Sequence, residues 1–261
     1  MSLSSLSRLI TVIILTLTGL GSCVSQKKLP YLQNPAFTTQ QATTIDNTPS
    51  PYRLQNSDII SIRVQSAQAE LNTSLNITGS QTLYSSEPGV LYLSGYSVDE
   101  RGQVTLPTAG KVKVQGLTLD EAQNAIQKAV ALYVRDATVL VKLLSFKVTI
   151  LGEVRTPGRY FIYSSQATLL EALGMAGDLT EFGNRENVKL VRQTPKGSEV
   201  VLLNLTDPNL LKSPYYYLMP NDALYVEPLK ARSSRANINN LGIVFSGISA
   251  VALILSFFVN N

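Results

Sequence analysis

Residues 118–151 read TLDEAQNAIQKAVALYVRDATVLVKLLSFKVTIL, and a change of period inside this stretch decides the fold class. Thr118 with Glu121 three residues later forms a capping box, in which each side chain accepts the other residue's backbone N–H. Behind it Leu119, Ala122, Ile126, Ala129, Val130 and Tyr133 recur at helical spacing and define one apolar face. Glu121 is thereby a helix cap, not a chemical group. From Thr138 the period drops to two, giving strands over 138–144 and 146–151, and a third over 158–163 after the Pro157-Gly158 turn. A helix passing directly into short strands predicts an α+β domain in which one helix covers a mixed sheet.

The same signals continue on both sides. Thr168 and Glu171 make a second capping box, and Gly177 supplies the left-handed stop of a short helix. Strands are expected over Val188–Arg192 and Val200–Leu205, joined by a Thr194–Gly197 hairpin, with a last strand over Ala223–Glu227. Upstream, Ile60, Ile62 and Val64 alternate, as do Val104 with Leu106 and Val112 with Val114. Residues 66–95 are poor in charge and read as an insertion with one strand near Val90–Leu93. An internal echo links the two halves. Tyr52-Arg-Leu54 with Asp58, Ile60 and Ile62 has the spacing of Tyr216-Tyr-Leu218 with Asp222, Leu224 and Val226. Asp58 and Asp222 each close a turn before a strand, where a carboxylate accepts unpaired backbone N–H groups. Read as chemistry instead, they are a glycosidase acid and base.

Composition narrows the function. The chain has 261 residues, 22 Lys and Arg against 18 Asp and Glu, one Cys and no His. Without histidine there is no Ser-His-Asp triad, no His-ligated metal and no imidazole acid or base. One cysteine forbids a disulfide framework or a Cys-rich metal site. No cofactor and no metal are called for. Charged residues make up 15% of the chain and form no basic cluster with interleaved aromatics, so nucleic acid is not an expected partner.

The ends carry targeting signals. Arg8, an apolar run over Leu9–Leu17 and small residues precede the only cysteine in Leu20-Gly21-Ser22-Cys23. This resembles the lipobox of bacterial lipoproteins, which implies a signal peptide over 1–22 and lipidation of Cys23; the other reading is a signal peptide with an incidental cysteine. Val24 and Ser25, with no Asp beside the cysteine, are similar to Gram-negative sorting signals for the outer membrane. Residues 23–50, with Pro30, Pro35 and Pro49, read as a tether. Leu241–Val259 holds nineteen residues without a charge, about 28 Å as a helix, and predicts a membrane-spanning segment within 238–261. Gly242, Ser246, Ser249 and Ser256 form a small-residue stripe on it, serving either close helix packing or a hydrated lumen.

Taken together, these residues resemble the polysaccharide biosynthesis/export outer-membrane lipoproteins of the Wza type. Tyr52-Arg-Leu-Gln-Asn-Ser-Asp58 is similar to the opening of a polysaccharide-export domain. Val98-Asp99 through Gly102 to Pro107, then Gly110-Lys-Val, Gly116-Leu-Thr118 and Glu121-Ala122, follow in that domain's order. Val148–Val154 with Gly152-Glu153, Pro157-Gly158 and Tyr160, then Leu169–Leu173 and Ala176-Gly177, resemble a soluble-ligand-binding β-grasp (SLBB) domain. The family's first turn commonly reads Gly-Pro-Gly-Asp, where this chain has Gln55-Asn56-Ser57-Asp58; Asn56 tolerates unusual backbone angles, so the fold is expected to stand.

The resemblance implies an α+β fold with a small polysaccharide-export domain over 51–145, an SLBB β-grasp domain over 146–228 and a C-terminal membrane-spanning helix. It implies a non-enzymatic homo-oligomeric ring, an octamer as the working count, that conducts capsular or exopolysaccharide through the outer membrane. The implied partners are the polysaccharide, the outer membrane and an inner-membrane polysaccharide co-polymerase with tyrosine kinase. Tyr215, Tyr216 and Tyr217 suit either sugar stacking or alternating strand positions. Two other classes remain open at this point. One is a membrane-anchored periplasmic sugar-binding or scaffold lipoprotein that forms no pore. The other is a hydrolase using Asp58, Glu153, Asp178 or Asp222.

Overall fold

A computed structural model describes residues 29–67 except 36, 39 and 41, together with 75–76, 95–194, 197–230, 246 and 250. Two hydrophobic cores organise these residues, one on each side of residue 145.

The first unit contains β1 (Ile59–Gln65), β2 (Tyr96–Ser97), β3 (Gln103–Leu106), β4 (Gly110–Lys113), α1 (Leu119–Ala131) and β5 (Thr138–Leu143). β1 lies between β2 and β5 and is antiparallel to both, while β3 and β4 form a separate hairpin. Alternation sends Ile60, Ile62 and Val64 inward, where they meet Ile126 and Val130 of α1 and Val104 of β3 in one core. Each fully buried aliphatic side chain contributes about 1.5–3 kcal/mol. The Thr118–Glu121 capping box is present in both directions, and Gln123 and Gln127 accept backbone N–H groups of β5, tying helix to sheet. The helix ends at Ala131, so Tyr133 does not extend its buried face and is 62% exposed. Past Gln65, the Asn76 side chain pairs with both the N–H and the C=O of Val64, substituting for a neighbouring strand.

The second unit contains β6 (Lys147–Gly152), β7 (Gly158–Phe161), β8 (Ala167–Thr168), α2 (Leu169–Met175), β9 (Gly183–Thr194), β10 (Gly197–Leu203), a 3₁₀ turn (Pro208–Lys212), β11 (Tyr217–Leu218) and β12 (Ala223–Pro228). Its main sheet has the order β10-β9-β12-β6-β7, so the last strand inserts beside the first and runs parallel to it. The hairpins β6–β7 and β9–β10 flank that central pair. Leu169, Ala172 and Leu173 of α2 pack on Val148, Ile150, Leu190 and Leu224. Gly152 makes the close parallel pairing possible. It sits at φ +90°, and a Cβ there would fall 2.1 Å from the Val226 carbonyl oxygen.

One expectation is overturned, several fall outside the described residues, and the tether shows an added contact. The C-terminal membrane-spanning helix is not supported: no helix among the described residues is long and apolar enough to cross a membrane, and the mostly stranded fold is built with two α-helices there. Of the small-residue stripe, only Ser246 is described, as an exposed helical residue; Gly242, Ser249 and Ser256 lie outside the described residues, as do Cys23 and the strand expected near Val90–Leu93. Part of the expected tether is docked. Leu32 and Gln33 donate their N–H groups to the carbonyls of Leu205 (3.0 Å) and Thr206 (2.7 Å), and Tyr31 and Leu32 pack against the second core.

Candidate functional site

The two units join through Leu144-Ser145-Phe146, and the two echoing turns hold this connector from either end. In the first, the Gln55 N–H donates to Asp58 Oδ2 (2.8 Å) while the Asp58 N–H closes back on the Gln55 carbonyl (3.3 Å). In the second, the Met219 N–H donates to Asp222 Oδ2 (2.8 Å) and the Asp222 N–H to the Met219 carbonyl (3.1 Å). The residue before each aspartate is left-handed, Ser57 at φ +70° and Asn221 at φ +69°. The unusual backbone angle thus falls on Ser57, not Asn56, because it is the third turn position that must reverse the chain.

Each turn grips the connector by its own route. Ser145 Oγ donates to Asp58 Oδ1 (3.3 Å) and accepts the Ile59 N–H (3.1 Å), while the Leu144 N–H donates to the Ile59 carbonyl (2.8 Å). On the other side the Asn221 N–H donates to the Lys147 carbonyl (2.8 Å), and the Thr149 N–H donates to the Asp222 carbonyl (3.0 Å). Ser145 is thus bonded into the first unit and Lys147, two residues on, into the second, so the splice between the two sheets is short.

The side chains behind the turns differ. Tyr52 Oη donates to Asp58 Oδ2 (2.7 Å). Asp222 is gripped by a buried arginine: Arg192 Nε and Nη2 donate to its two oxygens at 3.0 and 2.7 Å, and Nη2 also donates to the Tyr217 carbonyl (3.0 Å). Burial raises the Asp58 carboxyl above the ordinary carboxylate range, opposed by the Gln55 N–H and by the Tyr52 and Ser145 hydroxyls. Burial likewise raises Asp222, against the pull of Arg192. The Tyr52 phenol is pushed up by burial and by the Asp58 charge beside it. Sequence reading missed both partners. Arg192 shares its strand face with the buried Val188 and Leu190, and that parity is the signal that an inward-facing guanidinium needs a carboxylate.

The candidate carboxylates are engaged structurally. Glu153, buried, accepts from Thr180 Oγ1 (2.9 Å). Asp178, at φ +70°, accepts the Leu179 N–H (2.7 Å) and the Tyr31 hydroxyl. Tyr31 also lies under the Arg185 guanidinium, 5.6 Å from its ring centre. No cluster of metal-ligating residues occurs among the described residues.

Beside the splice runs a groove of about 890 Å³. The first unit contributes Tyr52, Asp120 and Lys142 to it; the second contributes residues 163–166 and Tyr217; residues 46–51 cross it on the way into β1. Of the three consecutive tyrosines only Tyr217 lines this groove, and its hydroxyl donates to the Asn47 carbonyl (3.4 Å). Tyr216 meets Tyr217 edge-on at 5.4 Å. Tyr215 stacks under Arg192 at 5.4 Å and donates to Glu199 Oε1 (2.5 Å).

Comparison with known proteins gives these units counterparts. Residues 46–144 match the model of the polysaccharide biosynthesis/export protein family, and residues 146–226 match that of the SLBB domain. The chain is 35% identical over 148 residues to the EPS I polysaccharide export outer membrane protein EpsA of Ralstonia nicotianae, covering 55% of this chain and 39% of that protein. It is 32% identical over the same length to the protein of that name from Ralstonia solanacearum, with the same coverage. The chain thus spans about two fifths of the length of the curated relatives it matches. Both domain matches thus occur in order across most of the chain's length.

Proposed function

We propose that the chain is a member of the polysaccharide biosynthesis/export family and a subunit of an outer-membrane polysaccharide export assembly. The observation that carries the reading is a match to a polysaccharide-export domain followed directly by a match to an SLBB domain, and it is supported by similarity over 148 residues to proteins named for EPS I polysaccharide export at the outer membrane. In this reading several copies close into a homo-oligomeric ring around a polar passage, and no bond in the polymer is made or broken. The carboxylates that a hydrolase would need are committed to turns and to Arg192, which supports a non-enzymatic role.

The mechanism follows from the splice. A ring closes only if every subunit presents its contact faces at a constant angle, and a connector this short, with Ser145 held by Asp58, restricts the freedom between the two units. Acylation at Cys23 would attach the assembly to the membrane. An inner-membrane co-polymerase would deliver the polymer. The mass of the detergent-extracted full chain, read by light scattering, tests the ring. A multiple of the 28.4 kDa chain mass above a dimer supports it, and a monomer across several mild detergents overturns it.

A further inference from the structure

We infer that the groove between the two units is a saccharide-binding site that lays a short stretch of the polymer across Tyr163 and Tyr217. The identity of the polymer rests on the export reading above; the chemistry of the site stands on its own walls. At about 890 Å³ the groove is large enough for several sugar rings, within the range of about 300–1,000 Å³ usual for ligand sites. Its lining combines aromatic faces with hydroxyl, amide, carboxylate and ammonium groups, which together suit sugar recognition. A pyranose offers an apolar C–H face to a phenol ring and a belt of hydroxyls to donors and acceptors around it.

Tyr163 carries the strongest indication. It is 76% exposed at the groove, just beyond the edge strand β7, and the core does not account for its ring. Ser165 and Gln166 follow it, exposed and lining the same groove with hydroxyl and amide groups. Lys142 and Lys212 line the groove from the first and second units, and neither is held in an ion pair among the described residues, which leaves their ammonium groups to donate to sugar oxygens. Tyr217 is the opposite case, half-buried and positioned by its strand pairing to Thr168 and by its bond to the Asn47 carbonyl. One ring is thus fixed and one is free to settle on the ligand.

The test is calorimetric titration of the full-length, detergent-extracted protein with tri- to hexasaccharides obtained by partial hydrolysis of the host's own exopolysaccharide. Saturable binding is expected, weakened about 3- to 10-fold by Tyr163→Ala and retained by Tyr163→Phe, since stacking needs the ring and not the hydroxyl. Absence of saturable binding by the wild type, or a Tyr163→Ala titration that superimposes on it, overturns the site. A deletion strain separates this failure from failure of the export reading. If the wild-type gene restores surface polymer while the titration is flat, the groove assignment alone is wrong. If the wild-type gene does not restore it, the export reading is wrong, and the titration still judges the groove.

Discussion

At the scale of single residues, the two turn aspartates do the same work with different partners, and the difference is testable. Asp222 and Arg192 retain only 1% and 8% of their side-chain exposure, so removing one strands the other charge in the core. Asp222→Ala should cost about 3–5 kcal/mol in urea unfolding, while the double change Arg192→Met with Asp222→Leu should recover much of that loss. Ser57 pays a steric cost at φ +70° that glycine does not, so Ser57→Gly should stabilise the first unit by up to about 1 kcal/mol, seen as a higher urea midpoint at unchanged slope. Tyr52 makes the pH dependence readable. Its folded-state phenol is raised above the unfolded value of about 10, so the native state keeps the proton longer than the unfolded chain does. The stability this contributes is complete below pH 10 and is lost as pH climbs towards the folded-state value. Tyr52→Phe should therefore be less stable at pH 7, through the lost bond to Asp58, yet lose less stability between pH 9 and 11. Of these residue roles, the turn position of Asp58 and Asp222 was legible because an aspartate before a strand is a local signal. Tyr52 and Arg192 were not, because their bonds depend on how separate segments meet.

At the scale of elements, local chemistry was readable and long-range pairing was not. Both helices start at the capping boxes visible in the sequence, Thr118 with Glu121 and Thr168 with Glu171, because the caps involve residues three apart. Thr118→Ala and Thr168→Ala should each cost about 1 kcal/mol in chemical unfolding. The strands of the two hairpins could likewise be found by alternation. What no period discloses is that β12 returns to the centre of the sheet and pairs with β6, 74 residues upstream in every pair of the register from Ala223 with Thr149 to Val226 with Gly152. Gly152 is the residue on which that return depends. Gly152→Ala should destabilise the second unit by at least about 3 kcal/mol, since relief of the Cβ contact with the Val226 carbonyl breaks the parallel ladder. Loss of the cooperative transition of the second unit alone, followed by hydrogen exchange, would place the damage there.

At the scale of the whole molecule, the order of two recognisable domains was legible from motifs scattered through the chain, and the matches over 46–144 and 146–226 agree with that recognition. The groove was not legible, because its walls come from residues 46–52, 118–120, 141–144, 146, 163–166, 212–214 and 217–220, which only the folded chain brings together. Nor was the docking of Tyr31–Gln33, since a Pro-rich polar stretch gives no sign that the second unit holds a place for one tyrosine between Arg185 and Asp178. At the C-terminus a long uncharged run satisfies the length rule for a spanning helix, while among the described residues no helix is long and apolar enough to cross a membrane. The central claim is export, and the most direct measurement is the distribution of exopolysaccharide between cell surface and periplasm in a strain lacking this gene, with and without the wild-type gene restored. The account predicts that surface polymer is lost on deletion and recovered on restoration. Surface polymer at wild-type levels in the deletion strain would contradict it.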